Sequence, residues 1–237
     1  MRVRELWRYP VKSMQGEQLD RVDVMANGLT GDRAFALFDT VTGYGLTARR
    51  VPELLFASAR YRDGGVEIVL PGGQIATDDV ALSAWLGRPV VLRPADAEVT
   101  RTYEVPLDVD TEAEDSWVTW NGPRGAFHDS TRARVSLVST GTLDHWDARR
   151  FRANVVLDGA GEDALVGTEV LLGTAVLTVQ KQIDRCVMVT RPQPGGVARD
   201  LDVLKAINHE RRGFLAVGAL VETPGVVQIG DRVERRG

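Results

Sequence analysis

Sulfur and lysine are scarce in this chain. Its 237 residues include one cysteine, Cys186, in the segment Gln182-Ile183-Asp184-Arg185-Cys186-Val187-Met188-Val189-Thr190. One thiol closes no internal disulfide, and it cannot build a four-cysteine zinc site or an iron–sulfur cluster. Three roles stay open: a buried inert thiol, a nucleophile, or one soft ligand to a metal whose other ligands come from elsewhere. Lysine occurs only as Lys12, Lys181 and Lys205; the other basic side chains are arginines. Either a coding bias toward arginine or the bidentate recognition of anions accounts for that. His128, His145 and His209 are the only histidines and show no metal-binding spacing. No window approaches about 20 apolar residues, so no membrane-spanning helix is expected. The start, Met1-Arg2-Val3-Arg4-Glu5-Leu6, has no apolar leader region, which with the single cysteine indicates a cytoplasmic protein. The formal net charge of -4 argues against nucleic acid as a partner. A nucleophile elbow and a Walker A loop are both missing.

What is present is an ordinary globular composition, 43% hydrophobic and 26% charged, enough for one large domain or two small ones. Short alternating runs separated by glycine-rich turns dominate. Strands are expected at Val3 to Tyr9, Gln18 to Met25, Ala34 to Phe38, Val66 to Leu70, Val135 to Val138 and Asn154 to Leu157. Further strands are expected at Glu169 to Leu172, Ala175 to Val179, Cys186 to Thr190, Leu215 to Glu222 and Val226 to Val233. Thr42-Gly43 suggests a hairpin tip before Leu46-Thr47-Ala48. Helical spacing appears at Asp78 to Leu86, with Thr77 as a cap and Gly87 as a stop, at Thr140 to Arg149, and at Asp202 to His209. The expected fold is mainly β (α+β), with β-barrel-like cores and small helices. Apolar periodicity breaks between residues 93 and 117, where the acidic run Asp108 to Asp115 reads as a solvated loop. Domains are therefore expected over 1–95 and 96–237.

Several polar clusters could carry chemistry. Lys12 and Ser13 follow the first strand and suit a phosphate or pterin oxygen, or are simply solvated. Gly28-Leu29-Thr30-Gly31-Asp32-Arg33 reads as a turn with a structural Asp–Arg contact. In Thr47-Ala48-Arg49-Arg50 the adjacent arginines would face opposite sides of an extended chain. Phe127-His128-Asp129-Ser130-Thr131 is a polar stretch ahead of a strand. Arg150, Arg152 and Asn154 alternate and would share one face of an extended strand. Such a face needs a partner to offset its desolvation, and an anionic ligand would provide one.

In order, the Tyr9–Ser13 block, Asp32-Arg33 with Thr47-Ala48-Arg49, Arg150-Phe151-Arg152-Ala153-Asn154 and Arg185-Cys186 resemble the MOSC superfamily. The likeness is to two-part members with a β-barrel N-terminal domain, among them the amidoxime-reducing components and their bacterial relatives. The ending Pro224-Gly225-Val226-Val227-Gln228-Ile229-Gly230-Asp231 also looks like that family's terminal hairpin. The resemblance implies the molybdenum cofactor (Mo-molybdopterin), with Cys186 as the metal ligand and catalytic residue. It implies cofactor contacts from Lys12, Ser13, Arg33, Arg49, Asp129 and Ser130. Thr131, Arg150, Arg152, Asn154 and Arg185 complete that set. The implied activity is reduction of N-hydroxylated small molecules such as amidoximes, hydroxylamines and N-oxides. The implied partner is a separate electron donor of the ferredoxin, flavodoxin or cytochrome b5/reductase type, since no ferredoxin-like domain follows. Other members suggest a sulfur carrier with a Cys186 persulfide, or a cofactor carrier. Where family members often have Phe-Gly-x-Tyr, this chain has Phe214-Leu215-Ala216-Val217-Gly218, and its stretch after Cys186 is shorter, which implies a reduced rim.

Overall fold

The computed structural model describes residues 1–95, 101–106 and 117–236. Its centre is an eight-stranded sheet. The strands run in the order Val233–Arg236, Glu169–Leu172, Ala175–Asp184, Phe214–Thr223, Val135–Ser139, Val155–Leu157, Val3–Arg8 and Glu17–Leu19. Neighbours are antiparallel except Val135–Ser139 and Val155–Leu157, which are parallel. A parallel pair needs a crossover connection, and Arg150, Arg152 and Asn154 lie on this one.

A small sheet of Gly225–Gln228, Arg21–Met25 and Gly28–Leu29 packs on the large one. Val22, Val24, Leu29 and Val227 from it share a core with Leu6, Leu137, Leu157, Leu172 and Leu177. Strands from the first thirty residues thus pair with strands from the second half, Val3–Arg8 with Val155–Leu157 and Arg21–Met25 with Gly225–Gln228. A second core gathers Val11, Met14, Leu37, Leu46, Leu54, Leu55, Ile68 and Leu82. The helix Asp202–Arg211 covers a third, turning Val203, Leu204 and Ile207 onto Phe151, Val189 and Leu215.

Local chemistry explains where sequence pattern and structure diverge. The helix Asp79–Leu86 forms as expected, but Asp78 caps it, its side chain accepting from the Ala81 amide; Gly87 closes it in the left-handed region. The expected helix over Thr140 to Arg149 keeps only Thr140–Leu143 and a separate 3-10 turn, Ala148–Arg150. Asp144 sits at φ 51°, which ends the helix. Ala175–Asp184 runs further than expected, and after Leu46, whose amide donates to the Leu37 carbonyl, residues Ala48 to Arg50 form a turn, with the Arg50 and Val51 amides donating to the Thr47 carbonyl. Strands at Ser58–Arg62, Val90–Pro94, Thr102–Pro106 and Trp117–Asn121 were not anticipated. The acidic run Asp108 to Asp115 lies outside the described residues. Among the described residues no helix is long and apolar enough to cross a membrane.

Candidate functional site

Two corrections concern the chemistry-bearing segments. Cys186 to Thr190 is not a strand. Cys186 is extended (φ -128°, ψ 179°) and caps a 3-10 turn, Val187–Thr190, in which the Val189 amide donates to the Cys186 carbonyl. Val187 and Val189 are both buried, so burial on both sides of the turn overrides the β-propensity of the run. Nor do Arg150, Arg152 and Asn154 share a strand face. Asp147 caps the 3-10 turn that holds Arg150, and Arg152 sits at φ 52°. The short crossover must reverse direction, and left-handed backbone at Arg152 does that.

The fold still brings these pieces together. A cavity of about 430 Å³ is lined by Lys12, Ser13, Arg33, Arg49, Asp129, Ser130, Arg150, Arg152, Asn154, Arg185 and Cys186. Of the residues singled out in the sequence, Thr131 alone is outside that lining, and it is exposed. Thr47, Val105, Trp120, Phe127, His128, Ile183 and Met188 also line the cavity. Val105 and Trp120 had no sequence signal, because their hairpin flanks the acidic run. Among the described residues no cluster of three or more His, Cys, Asp or Glu side chains could hold a metal. A metal here would rest on Cys186 and on groups brought by a cofactor.

The polar groups fall into two kinds. Some are spent on the protein. Asn154 is buried; its Oδ1 accepts from the Ser136 amide (3.1 Å) and hydroxyl (3.0 Å), and its Nδ2 donates to the Trp7 carbonyl (3.2 Å). Arg150, 8% exposed, donates Nη1 to the Val189 carbonyl (3.2 Å) and Nη2 to the Ala198 carbonyl (2.7 Å). It therefore ties down both ends of the segment that follows Cys186. The Ser13 hydroxyl accepts from the Ala48 amide (3.0 Å) and fixes the turn carrying Arg49.

Others keep capacity in hand. Arg185 donates Nε to the Leu215 carbonyl (2.7 Å) and Nη1 to the Phe151 carbonyl (3.0 Å), while its buried Nη2 has no hydrogen-bond partner among the described residues. Burial draws the Arg185 guanidinium down to about 10. The Thr47 hydroxyl is also buried and unpartnered. Burial likewise lowers Arg152 to about 10, with the neighbouring Arg33 charge adding to the effect. Arg33 meets Asp32 through Nη1 (2.7 and 2.5 Å) and donates Nη2 to the Arg152 carbonyl (3.0 Å). Arg49 lies beside Cys186: burial pulls its guanidinium down, but Cys186 and the Asp129 carboxylate outweigh burial and raise it.

Lys12, 5% exposed, donates Nζ to Asp129 Oδ1 (2.5 Å) and to the Phe127 carbonyl (3.2 Å). Burial holds this lysine below its ordinary value. The Asp129 side chain is 79% accessible because it faces the open cavity, although protein surrounds the rest of it. Burial pushes its carboxyl up, but Lys12, Arg49 and Arg33 together hold it well below the usual carboxylate range. Lys12, Arg33, Arg49, Arg152 and Arg185 thus share the cavity with the Asp129 carboxylate and the Cys186 thiol, while Val105, Trp120, Phe127, Ile183 and Met188 supply apolar surface. This donor set fits an anionic, phosphate-bearing group and a soft metal bound to sulfur.

The MOSC N-terminal beta barrel domain matches residues 1–119 and the MOSC domain matches residues 121–234. The crystal structure of the YuaD protein from Bacillus subtilis is similar over 98% of this chain and 93% of its own, at 13% identity and a TM-score of 0.44. That of YiiM from Geobacillus stearothermophilus is similar over 44% of this chain and 55% of its own, at 18% identity and a TM-score of 0.37. No curated protein matches. The chain belongs to the MOSC family, with a MOSC N-terminal β-barrel domain ahead of the MOSC domain.

Proposed function

We propose that this MOSC protein is a molybdenum-cofactor reductase of N-hydroxylated small molecules such as amidoximes, hydroxylamines and N-oxides. One observation carries the reading: the only thiol of the chain opens on a cavity whose walls hold Lys12, Arg33, Arg49, Arg152 and Arg185, with Arg185 Nη2 and Thr47 Oγ1 unpartnered among the described residues. When bound, the cofactor would supply two-electron redox chemistry, and the protein would supply orientation and electrostatics.

Cys186 would hold the metal through its sulfur, with the Arg49 guanidinium beside it. Arg152 and Arg185 present guanidinium donors to the phosphate end, where charge-assisted bonds are strongest. Lys12 is held by Asp129 Oδ1 and the Phe127 carbonyl, so one remaining N–H points from a fixed ammonium. Asp129 stays ionised at the cavity face and accepts a proton-bearing donor rather than supplying one. Val105, Trp120 and Met188 give the apolar remainder of a substrate a surface that excludes water. Electrons come from a separate donor of the ferredoxin, flavodoxin or cytochrome b5/reductase type.

The test is turnover. Protein loaded in a cofactor-producing host and supplied with reduced methyl viologen should convert benzamidoxime to benzamidine; no amidine from a loaded sample contradicts the proposal. The Arg49–Cys186 contact favours a second reading equally, a sulfur carrier with a Cys186 persulfide. Intact-mass analysis showing one labile extra sulfur on a metal-free protein selects that one.

A further inference from the structure

Tyr9 lines no part of the cavity, yet two of its arginines are built around it. The guanidinium carbon of Arg33 lies 4.7 Å from the Tyr9 ring centroid and that of Arg152 lies 4.4 Å from it. The Tyr9 backbone is bound to the same neighbourhood. Its amide donates to Asp32 Oδ1 (2.7 Å), and its carbonyl accepts from the Arg33 amide (2.8 Å). Trp7 stacks beside it at 6.4 Å with planes 20° apart. The sequence makes room for the ring at Gly16, where an added Cβ would stand 2.7 Å from Tyr9 Cδ1 and 2.2 Å from the Arg8 carbonyl oxygen.

Three features say what this ring does. First, Arg33 and Arg152 both occupy left-handed backbone, at φ 49° and 52°. Glycine adopts that region freely and arginine does not, so the fold tolerates strain at both positions to keep a guanidinium there. Second, the pair is short of negative charge. Asp32 binds Arg33 through both oxygens, whereas Arg152 donates Nη1 to the Met14 carbonyl and meets no carboxylate among the described residues. Third, Tyr9 is 2% exposed and its buried hydroxyl has no partner among the described residues. A buried orphan hydroxyl is a cost, so the ring and not the hydroxyl is what the site uses.

A carboxylate beside Arg152 would hold it equally well but would occupy its donors. An aromatic face attracts a cation through its quadrupole and leaves the N–H groups free. We propose that Tyr9 is a positioning residue: its ring holds Arg33 and Arg152 together as a preset dication for a phosphate group bound in the cavity. This rests on the reading of the cavity as a phosphate-bearing cofactor site. The Tyr9 ring, invisible to any ligand, thereby sets the affinity for it.

The experiment uses the full chain purified from a host that makes no cofactor, with inorganic phosphate as probe, titrated by calorimetry. Tyr9→Phe should bind phosphate as wild type does. Tyr9→Leu should lose about tenfold, the scale of two partly desolvated cation–π contacts. Phenylalanine at position 9 carrying one, two and then three ring fluorines drains the quadrupole without changing the packing, so affinity should fall stepwise along that series. That gradient is a readout a purely structural tyrosine would not give, and it holds even if Tyr9→Leu fails to fold. An affinity flat across the fluorinated series overturns the role of Tyr9. Absence of phosphate binding by the wild type instead overturns the phosphate-site reading itself and the inference with it.

Discussion

Replacing Arg150 by methionine separates a residue that holds the site from one that holds its ligand. The Arg150 guanidinium donates to the carbonyls of Val189 (3.2 Å) and Ala198 (2.7 Å) in a position 8% exposed. A hydrogen bond from a charged donor contributes about 1.5–3 kcal/mol, and the carbonyls left behind would lack a partner. Methionine keeps much of the volume and recovers part of the burial, so a net loss of about 3 kcal/mol is expected. At roughly 2–4 °C per kcal/mol for a chain of this size, Tm should fall by about 10 °C. The measurement is urea or thermal unfolding of cofactor-free protein, followed by far-UV circular dichroism. Because the bonds flank the turn that begins at Cys186, alkylation of that thiol should also accelerate in the variant. Arg150→Lys has one point charge instead of a fork and should recover only part of the loss. A Tm within about 2 °C of wild type, with unchanged alkylation, refutes the clamp and returns Arg150 to a ligand-contacting role.

Three further outcomes follow from the geometry. Asp129→Asn strands a buried ammonium and should cost about 2 kcal/mol, less than a fully buried pair because the carboxylate is solvated. Lys12→Met leaves only that hydrated carboxylate and should cost under about 1 kcal/mol. Denaturant titrations giving equal losses would contradict the asymmetry. His128 is buried, donates Nε2–H to the Asn27 carbonyl (3.0 Å), and is lowered to about 4 by burial. Between about pH 6.5 and 4 the unfolded chain binds a proton that the folded chain does not. Stability should therefore be full above pH 6.5 and fall by about 3 kcal/mol on acidification to pH 4. His128→Gln should flatten that limb, and an unchanged pH profile would show that the imidazole titrates normally.

The sequence reading worked where local chemistry decides the outcome. Glu169–Leu172 forms with the expected bounds because its alternation and flanking glycines agree with its pairing. Asp79–Leu86 forms one residue short of its expected start, ended by the expected glycine stop, although Asp78 rather than Thr77 caps it. Cys186 to Thr190 forms a turn although valine and threonine favour strands, because Val187 and Val189 are both buried there, Val189 against the helix Asp202–Arg211 and Phe151. Alternation of Arg150, Arg152 and Asn154 suggested one ligand-facing row. Instead Arg150 and Asn154 are spent on backbone groups far away in sequence, Val189, Ala198, Ser136 and Trp7, which no local pattern encodes. The cluster of Lys12, Arg33, Arg49, Arg152, Arg185 and Cys186 was legible as separate motifs. That one cavity would gather them, with Trp120 and Val105 closing it, was not.

The central claim is that Cys186 holds a metal in a cavity built for an anionic cofactor. Molybdenum per chain, measured by elemental analysis on wild type and Cys186→Ser purified from a cofactor-producing host, tests it most directly. The account predicts molybdenum near one per chain in the wild type and near none in Cys186→Ser, whose circular dichroism and Tm remain those of the wild type. A wild type free of molybdenum, or a serine variant that retains it in full, would contradict the account.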